Sequence, residues 1–300
     1  MDPLVALGRA LHEIDYRFIT PTPETHRRAL ARGAEARTLR DVFGWSKSFA
    51  PEVLPPGLTE LLDSAGALLR EGPLLRSAVR FSTLGPLLCA HSAYPTLSAD
   101  SVFFGPDTYR FAALIERAVG NGRIERIGRV ADVGCGSGAG GLLLASRAES
   151  VQLLDINPAA VLFSRANAAI NDCTARVALS DVLAGAEGPL DLIVANPPYL
   201  ADEGQRTYRD GGGELGTALS VRIAREALER LQPGGRLLLY TATPVVDGEH
   251  SIWRQLEPLL ANVSYDYREL DPDVFGEELE RPAYAHVERL ALVALDAIKR

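Results

Sequence analysis

Two short runs in this 300-residue chain carry residue types that can do chemistry. The first is Asp132-Val133-Gly134-Cys135-Gly136-Ser137-Gly138-Ala139-Gly140, whose glycines let the backbone turn tightly and let a ligand approach with no Cβ in the way. Gly134, Gly136 and Ala139 satisfy the dinucleotide pattern GxGxxG/A, and Asp155 follows Gly136 by 19 residues, where an acid that binds ribose is expected. Asp132 separates two kinds of ligand. A carboxylate sharing the crevice with the ligand at about 4 Å and an effective dielectric near 20 costs a like charge about 4 kcal/mol and favours an opposite charge by as much. A pyrophosphate is therefore disfavoured, and a cationic ligand is favoured. The second run, Leu192-Ile193-Val194-Ala195-Asn196-Pro197-Pro198-Tyr199, ends in a side-chain amide, a carbonyl stiffened by two prolines and an aromatic ring. As a bare tetrapeptide, Asn196 to Tyr199 also fits an ordinary polyproline turn, but not the Pro-Pro-x-Tyr pattern of WW-domain ligands.

The elements around these runs alternate. Strand-like and helix-like stretches follow one another as Arg129–Val133 and Leu142–Ala148, Val151–Leu154 and Ala159–Ile170, Leu190–Val194 and Leu219–Leu231, Arg236–Tyr240 and Ile252–Leu260, with Val287–Leu295 last. Such alternation implies crossovers and a mainly parallel sheet with helices on both faces, whose ligand site lies outside the carboxyl ends of the strands. Both runs sit there. The first part of the chain has a different rhythm: Leu4, Leu7, Leu11 and Ile14 recur at helical spacing, as do Leu58, Leu61, Leu62, Leu68 and Leu69 after Pro55-Pro56. Thr20-Pro21-Thr22-Pro23 ends one helix and starts another, with Thr22 as N-cap and Pro23 in the first turn. Ala78 to Ser92 reads as a hairpin around Gly85-Pro86. The expected organisation is a small N-terminal helical domain, winged-helix-like with a β-hairpin, over residues 1–98, and an α/β domain over residues 99–300.

In this context the run Asp-x-Gly-x-Gly-x-Gly at Asp132 to Gly138 resembles the first motif of class I S-adenosylmethionine (SAM)-dependent methyltransferases, and Asn196-Pro197-Pro198-Tyr199 resembles the NPPY motif of those that methylate planar nitrogen. The resemblance implies a Rossmann-like seven-stranded sheet, SAM as cofactor with S-adenosylhomocysteine as product, and no metal. It implies cofactor binding by Asp132, Gly134, Cys135, Gly136, Gly138 and Asn196, ribose binding by Asp155 beside Ile156, and adenine binding by Asp181 beside Val182. Asn196, Pro197, Pro198 and Tyr199 are the catalytic set. The physical need is specific: an amide or exocyclic amine has its lone pair delocalised and becomes nucleophilic once both N–H bonds are held. The Asn196 side-chain oxygen and the Pro197 carbonyl supply two fixed acceptors. Tyr199 offers a face to the planar group.

Within this class the chain is similar to the HemK-like group that methylates the glutamine amide of release factors, over about Phe103 to Leu295. Phe104-Gly105-Pro106-Asp107-Thr108 is similar to the Pro-x-Pro-Asp-Thr segment of that group, and Tyr208-Arg209-Asp210-Gly211-Gly212-Gly213-Glu214-Leu215-Gly216 to its Asp-Gly-Gly stretch. Phe104, Pro106, Asp107, Thr108 and Arg209 are thus substrate-side candidates. Tyr109 replaces the usual glutamate, and the helix-plus-hairpin front end departs from a purely helical recognition domain. The favoured acceptor is a glutamine side chain of a translation protein. A base nitrogen, adenine N6 or guanine N2, is the alternative, and a SAM-binding protein without turnover the third reading.

Composition bounds the rest. The chain is 47% hydrophobic and carries a net charge of −8, with basic and acidic residues balanced in the first hundred positions, so the acidic excess lies entirely in the remainder. A broad polyphosphate-binding surface is not expected there. Arg27, Arg28, Arg32, Arg37 and Arg40 face only Glu24 and Glu35, a pattern that suits a solvated helix face or an acidic partner. Cys89, Cys135 and Cys173 form no CxxC pair, the five histidines show no ligand spacing, and the start lacks a signal-peptide pattern, so a cytoplasmic protein without structural metal or disulfides is expected.

Overall fold

The computed structural model describes every residue except Met1, Ala34, residues 121–126, residues 202–206 and Glu214. Seven strands form the central sheet: β1 (Ile127–Val133), β2 (Ala148–Asp155), β3 (Arg176–Leu179), β4 (Leu190–Ala195), β5 (Leu231–Val246), β6 (Val263–Asp271) and β7 (Arg289–Lys299). Their spatial order is β6-β7-β5-β4-β1-β2-β3, and the two-residue strand Glu249–His250 folds back on β5. Neighbours from β5 to β3 pair in parallel, whereas β7 pairs antiparallel with both β5 and β6. Strands β1, β4 and β5 are buried without a break over residues 130–133, 192–195 and 237–245, as strands covered on both faces must be. The chain reverses at the β1–β4 junction, so the carboxyl ends of β1, β2 and β4 open onto one crevice.

Helices Pro106–Gly120, Pro158–Ile170 and Ala218–Arg230 cover the sheet. Asn157 caps the second of these by accepting from Ala159 N at 2.9 Å, and Pro158 occupies its first turn. Four sequence expectations are corrected here. The helix expected over Leu142–Ala148 is a single turn, Ala139–Leu142, because the chain must reach β2 within a few residues. Leu68 and Leu69 belong to a hairpin, Leu68–Glu71 with Leu74–Ser77, because Gly66 (φ 65°) ends the preceding helix Pro56–Ser64 and Gly72 (φ 62°) makes the turn. Ile252–Leu260 divides into Trp253–Leu256 and a 3₁₀ turn, Glu257–Leu260. Strand β6 has no counterpart in the expected alternation, because this edge strand is mostly exposed and polar.

The first hundred residues contain helices Pro3–Glu13, Pro23–Leu30, Leu39–Phe43 and Pro56–Ser64, followed by two hairpins; the second pairs Val79–Leu84 with Leu87–Ser92 around Gly85-Pro86. Their apolar core is shared with helix Pro158–Ile170 through Ala166 and Ile170. Polar clamps fix the junction. Asn167 and Asn171, one turn apart on that helix, hydrogen-bond the backbone of the hairpin edge: Ala90 N donates to Asn167 Oδ1 at 2.7 Å and Leu88 N to Asn171 Oδ1 at 2.9 Å. Their amide groups return to Ala90 O and Leu88 O, each at 2.9 Å. Two asparagines thus substitute for a neighbouring strand. Asn167 is inside the helix, where propensity disfavours Asn, so there the pairing outweighs the local preference; Asn171 is the helix C-cap. No helix among the described residues is long and apolar enough to cross a membrane.

Candidate active site

The crevice at the strand ends is a cavity of about 760 Å³. Its floor is the turn after β1. Gly134 and Gly136 have φ of 66° and 55°, a left-handed conformation that requires glycine, and a Cβ on Gly134 would meet nothing within 4 Å. The open space above the loop is where a ligand backbone can lie. Cys135 packs behind it with Sγ at 3.4 Å from Ser164 Oγ, and burial pushes its thiol well above the usual range. Gly138 does not reach the cavity, contrary to expectation: a Cβ there would press on Leu153 and Ser164, so the glycine serves close packing beneath the loop.

Asp155 ends β2 on the cavity wall and is 8% exposed. Its Oδ2 accepts from Gly136 N and its Oδ1 from Asn157 N, both at 2.8 Å, while burial raises its pKa. The capping of the next helix falls to Asn157, which leaves Asp155 free of that duty. Ile156 beside it is 55% exposed, an apolar surface on the wall. Asp181 also lines the cavity, but its carboxylate is gripped by Arg222 through two bonds of 2.8 and 2.9 Å. Val182 is buried with φ 50°.

Asp132 departs from the expected permanently charged group. It is 2% exposed, accepts from Gly141 N at 2.7 Å, and desolvation lifts its carboxyl to about 7. The folded chain therefore retains a proton that the unfolded chain releases near pH 4, and stability from this group falls as pH rises between about 4 and 7. Asp132→Asn removes that loss while keeping an oxygen for Gly141 N. The stability difference between variant and wild type, read from urea unfolding, is expected to grow in the variant's favour across that window. A difference independent of pH contradicts the assignment.

Asn196, Pro197, Pro198 and Tyr199 leave β4 directly into the cavity wall. Tyr199 is buried, its ring 6.0 Å from Phe275, and burial with the neighbouring Asp107 carboxylate pushes its phenol well up. Asp107 is a hub: it accepts from Tyr240 Oη at 2.9 Å and from Arg110 at 3.3 Å, and Arg110 reaches on to Asp271 at 3.3 Å. Pro106 and Thr108 also reach the cavity. Phe104 does not; it is buried, stacked on His91 at 5.0 Å, and Phe103 takes the wall position instead, stacked on Tyr208 at 6.0 Å. The Phe103 ring fills the space a Cβ on Gly105 would need, which turns the two aromatics to opposite sides. Arg209 lines the cavity with its guanidinium on Glu278, a carboxylate that also takes Arg281 at 2.9 Å. Tyr109, at the position of the family's glutamate, accepts from Thr20 N at 3.0 Å.

Glycines 211 and 216 hold the stretch after Tyr199 in place. Gly211 N donates to Leu200 O at 2.8 Å, and an added Cβ would lie 1.9 Å from Gly216 O. Glu214, quoted in that stretch, lies outside the described residues. Sequence spacing missed several wall residues: Thr22 to Glu24, Phe103, Tyr208 and Asp273 to Phe275. They come from loops and from the N-terminal segment, where only their aromatic and turn-forming types gave a signal.

A seven-stranded sheet with β7 alone reversed, a glycine turn after β1, an acid ending β2 and Asn-Pro-Pro-Tyr after β4 define a class I methyltransferase fold. Residues 114–245 match the methyltransferase small domain family. The chain is 35% identical over 140 residues to the release factor glutamine methyltransferase of Koribacter versatilis, covering 42% of this chain and 50% of that protein. It is 33% identical over 128 residues to the ribosomal RNA small subunit methyltransferase C of Alcanivorax borkumensis, covering 43% and 36%. The chain thus spans half or less of the length of these curated relatives. The fold is shared with a T. thermophilus 16S rRNA N2 G1207 methyltransferase solved with AdoMet and guanosine (TM-score 0.50, 20% identity, 84% of this chain and 64% of that one). Trm5b from Pyrococcus abyssi superposes with a TM-score of 0.52 at 17% identity, covering 95% and 80%.

Proposed function

We propose that this protein is a SAM-dependent N-methyltransferase that acts on a planar amide or exocyclic amine nitrogen of a macromolecule. The observation that carries the reading is the placement of Asn196-Pro197-Pro198-Tyr199 on the wall of the same cavity as the glycine turn and Asp155. The residues fit the cofactor: Gly134 leaves space where a side chain would intrude, Asp155 keeps a lone pair on each oxygen for ribose hydroxyls, and Ile156 offers an apolar face. Asp132 beneath the turn suits a cationic ligand once deprotonated. SAM supplies an electrophilic methyl group when bound. The protein holds the acceptor: the Asn196 side-chain oxygen and Pro197 carbonyl grip the two N–H groups, Pro198 brings no competing donor, and no side chain serves as nucleophile.

The favoured acceptor is a glutamine side chain of a translation protein, by likeness to the release-factor enzymes, and the alternative is a nucleic-acid base, by likeness to the ribosomal RNA enzymes. Transfer of labelled methyl from SAM into an extract of cells lacking this protein separates them, with label lost to protease in one case and to nuclease in the other. Absence of macromolecular label in both halves contradicts the proposal. Asp155→Ala is expected to weaken SAM binding by about 1–3 kcal/mol, the penalty for unpaired buried partners. Calorimetric titration checks this; unchanged affinity refutes the ribose role.

A further inference from the structure

Residues 16–40 hold six arginines and two glutamates in a chain of net charge −8. Glu24 takes both Arg27, at 2.7 Å, and Arg28, at 2.9 Å. Arg32, Arg37 and Arg40 are exposed, and no carboxylate of the described residues lies within 4.0 Å of them. A fourth cation stands behind this face. Arg80 is 4% exposed, has no carboxylate partner among the described residues, and donates to Gly44 O at 2.8 Å and Thr20 Oγ1 at 3.4 Å. Burying an unpaired cation is costly, and its charge reinforces the positive potential of the surface above it.

Aromatic rings are interleaved with these charges. His26 stacks on Tyr94 at 4.0 Å and packs beside Trp45 at 5.2 Å, and Trp45 meets Phe18 at 5.2 Å. Arg40 and Arg80 lie over the Phe18 ring at 5.9 and 5.7 Å. Trp45 and Tyr94 are half-buried. Burial and the nearby Arg80 hold His26 neutral, with its pKa down to about 4, and its Nδ1 is buried without a partner, as is Arg76 Nε. The cluster is continuous with the cavity. Thr22, Pro23 and Glu24, at the start of the arginine helix, line its rim, and the chain beyond Tyr94 runs through Thr96, which accepts from Tyr208 Oη at 2.7 Å, to Phe103 on the wall.

We propose that this arginine and aromatic face docks single-stranded or looped RNA, with phosphates on Arg32, Arg37 and Arg40 and bases against the Trp45 and Tyr94 rings, so that a neighbouring base amine enters the cavity. The inference rests on the N-methyltransferase reading and makes its base acceptor specific. An acidic protein would answer the charges but not the rings, whereas unstacked RNA bases use both.

The test is binding of a labelled single-stranded RNA of about twenty nucleotides, long enough to span the face and the cavity mouth. Arg32→Glu, Arg37→Glu and Arg40→Glu combined are expected to weaken binding at least about tenfold near 100 mM salt and to lower the log–log salt slope by about 2. SAM affinity should not change. In Trp253→Phe, where Trp45 is the remaining tryptophan, RNA should quench tryptophan emission. Salt-insensitive or undetectable RNA binding by the wild type, or binding that survives charge reversal with no quenching, overturns the docking surface. Protease-sensitive methyl transfer alongside either result would leave the N-methyltransferase reading standing, while loss of SAM binding and transfer in the wild type would defeat that reading itself.

Discussion

Asn196→Ala is expected to leave SAM affinity within a few-fold and to lower turnover by roughly 10² to 10³, the effect of removing one hydrogen bond that matters most in the transition state. The amide oxygen is one of two acceptors that must hold the acceptor's N–H groups while its nitrogen pyramidalises, and the geometry provides no substitute in the Asn-Pro-Pro-Tyr segment. The Pro197 carbonyl is already the other acceptor, the prolines carry no side-chain acceptor, and the Tyr199 phenol is buried toward Asp107. The effect should appear in kcat rather than in the cofactor's Kd, because the glycine turn follows β1 and Asp155 ends β2, and neither depends on this side chain. Single-turnover rates together with calorimetric titration of SAM check both halves. Equal turnover in the variant contradicts the catalytic assignment.

The second large effect is expected at Gly216. Its φ is 78°, and a Cβ would lie 2.5 Å from the carbonyl carbon of Leu200 and 2.7 Å from Tyr199 O. The neighbouring atoms are backbone and cannot swing aside. A methyl group there must displace the segment that carries Tyr199 and its preceding prolines, and displacement of about 1 Å at a reacting centre can cost about 10² in rate. Gly216→Ala should therefore lose about that much turnover and about 1–3 kcal/mol of stability. Gly212 provides the internal comparison: its φ is 70°, but the nearest atom to an added Cβ is Ala218 Cβ at 3.8 Å. Gly212→Ala shares the backbone strain without the clash, so its turnover should stay within a few-fold of wild type. Thermal unfolding and kcat of the two variants separate strain from displacement. If Gly216→Ala turns over like Gly212→Ala, the packing of this loop is not what sets the Asn-Pro-Pro-Tyr geometry.

The parts of the fold that sequence revealed are those where one local rule dominates. Buried strands β1, β4 and β5 announce themselves through their apolar stretches, Thr22-Pro23 as a helix start, and Gly134 and Gly136 as glycines of a tight turn. Strand β6 was hidden because an exposed edge carries no alternation. Phe103 and Phe104 differ by one position, and spacing does not show that Phe103 lies on the cavity wall against Tyr208 while Phe104 is buried against His91 and Tyr109. Asp181 and Arg209 were legible as cavity residues, but not the ion pairs with Arg222 and Glu278 that occupy their charges. Asp132 was legible as a carboxylate and not as a desolvated one, since its burial is a product of the folded packing and only partly offset by the bond from Gly141 N. The amide clamp of Asn167 and Asn171 on the hairpin edge joins residues 77 and 83 positions apart, beyond the reach of any periodicity.

The central claim is transfer of a methyl group to a planar nitrogen, and the chemical form of the transferred methyl tests it most directly. Macromolecules labelled by the wild-type protein with SAM would be digested completely and the methylated monomer identified by mass spectrometry. The account predicts a base-stable N-methyl group on a side-chain amide or an exocyclic base amine. A base-labile methyl ester, or a methyl on carbon, would contradict it.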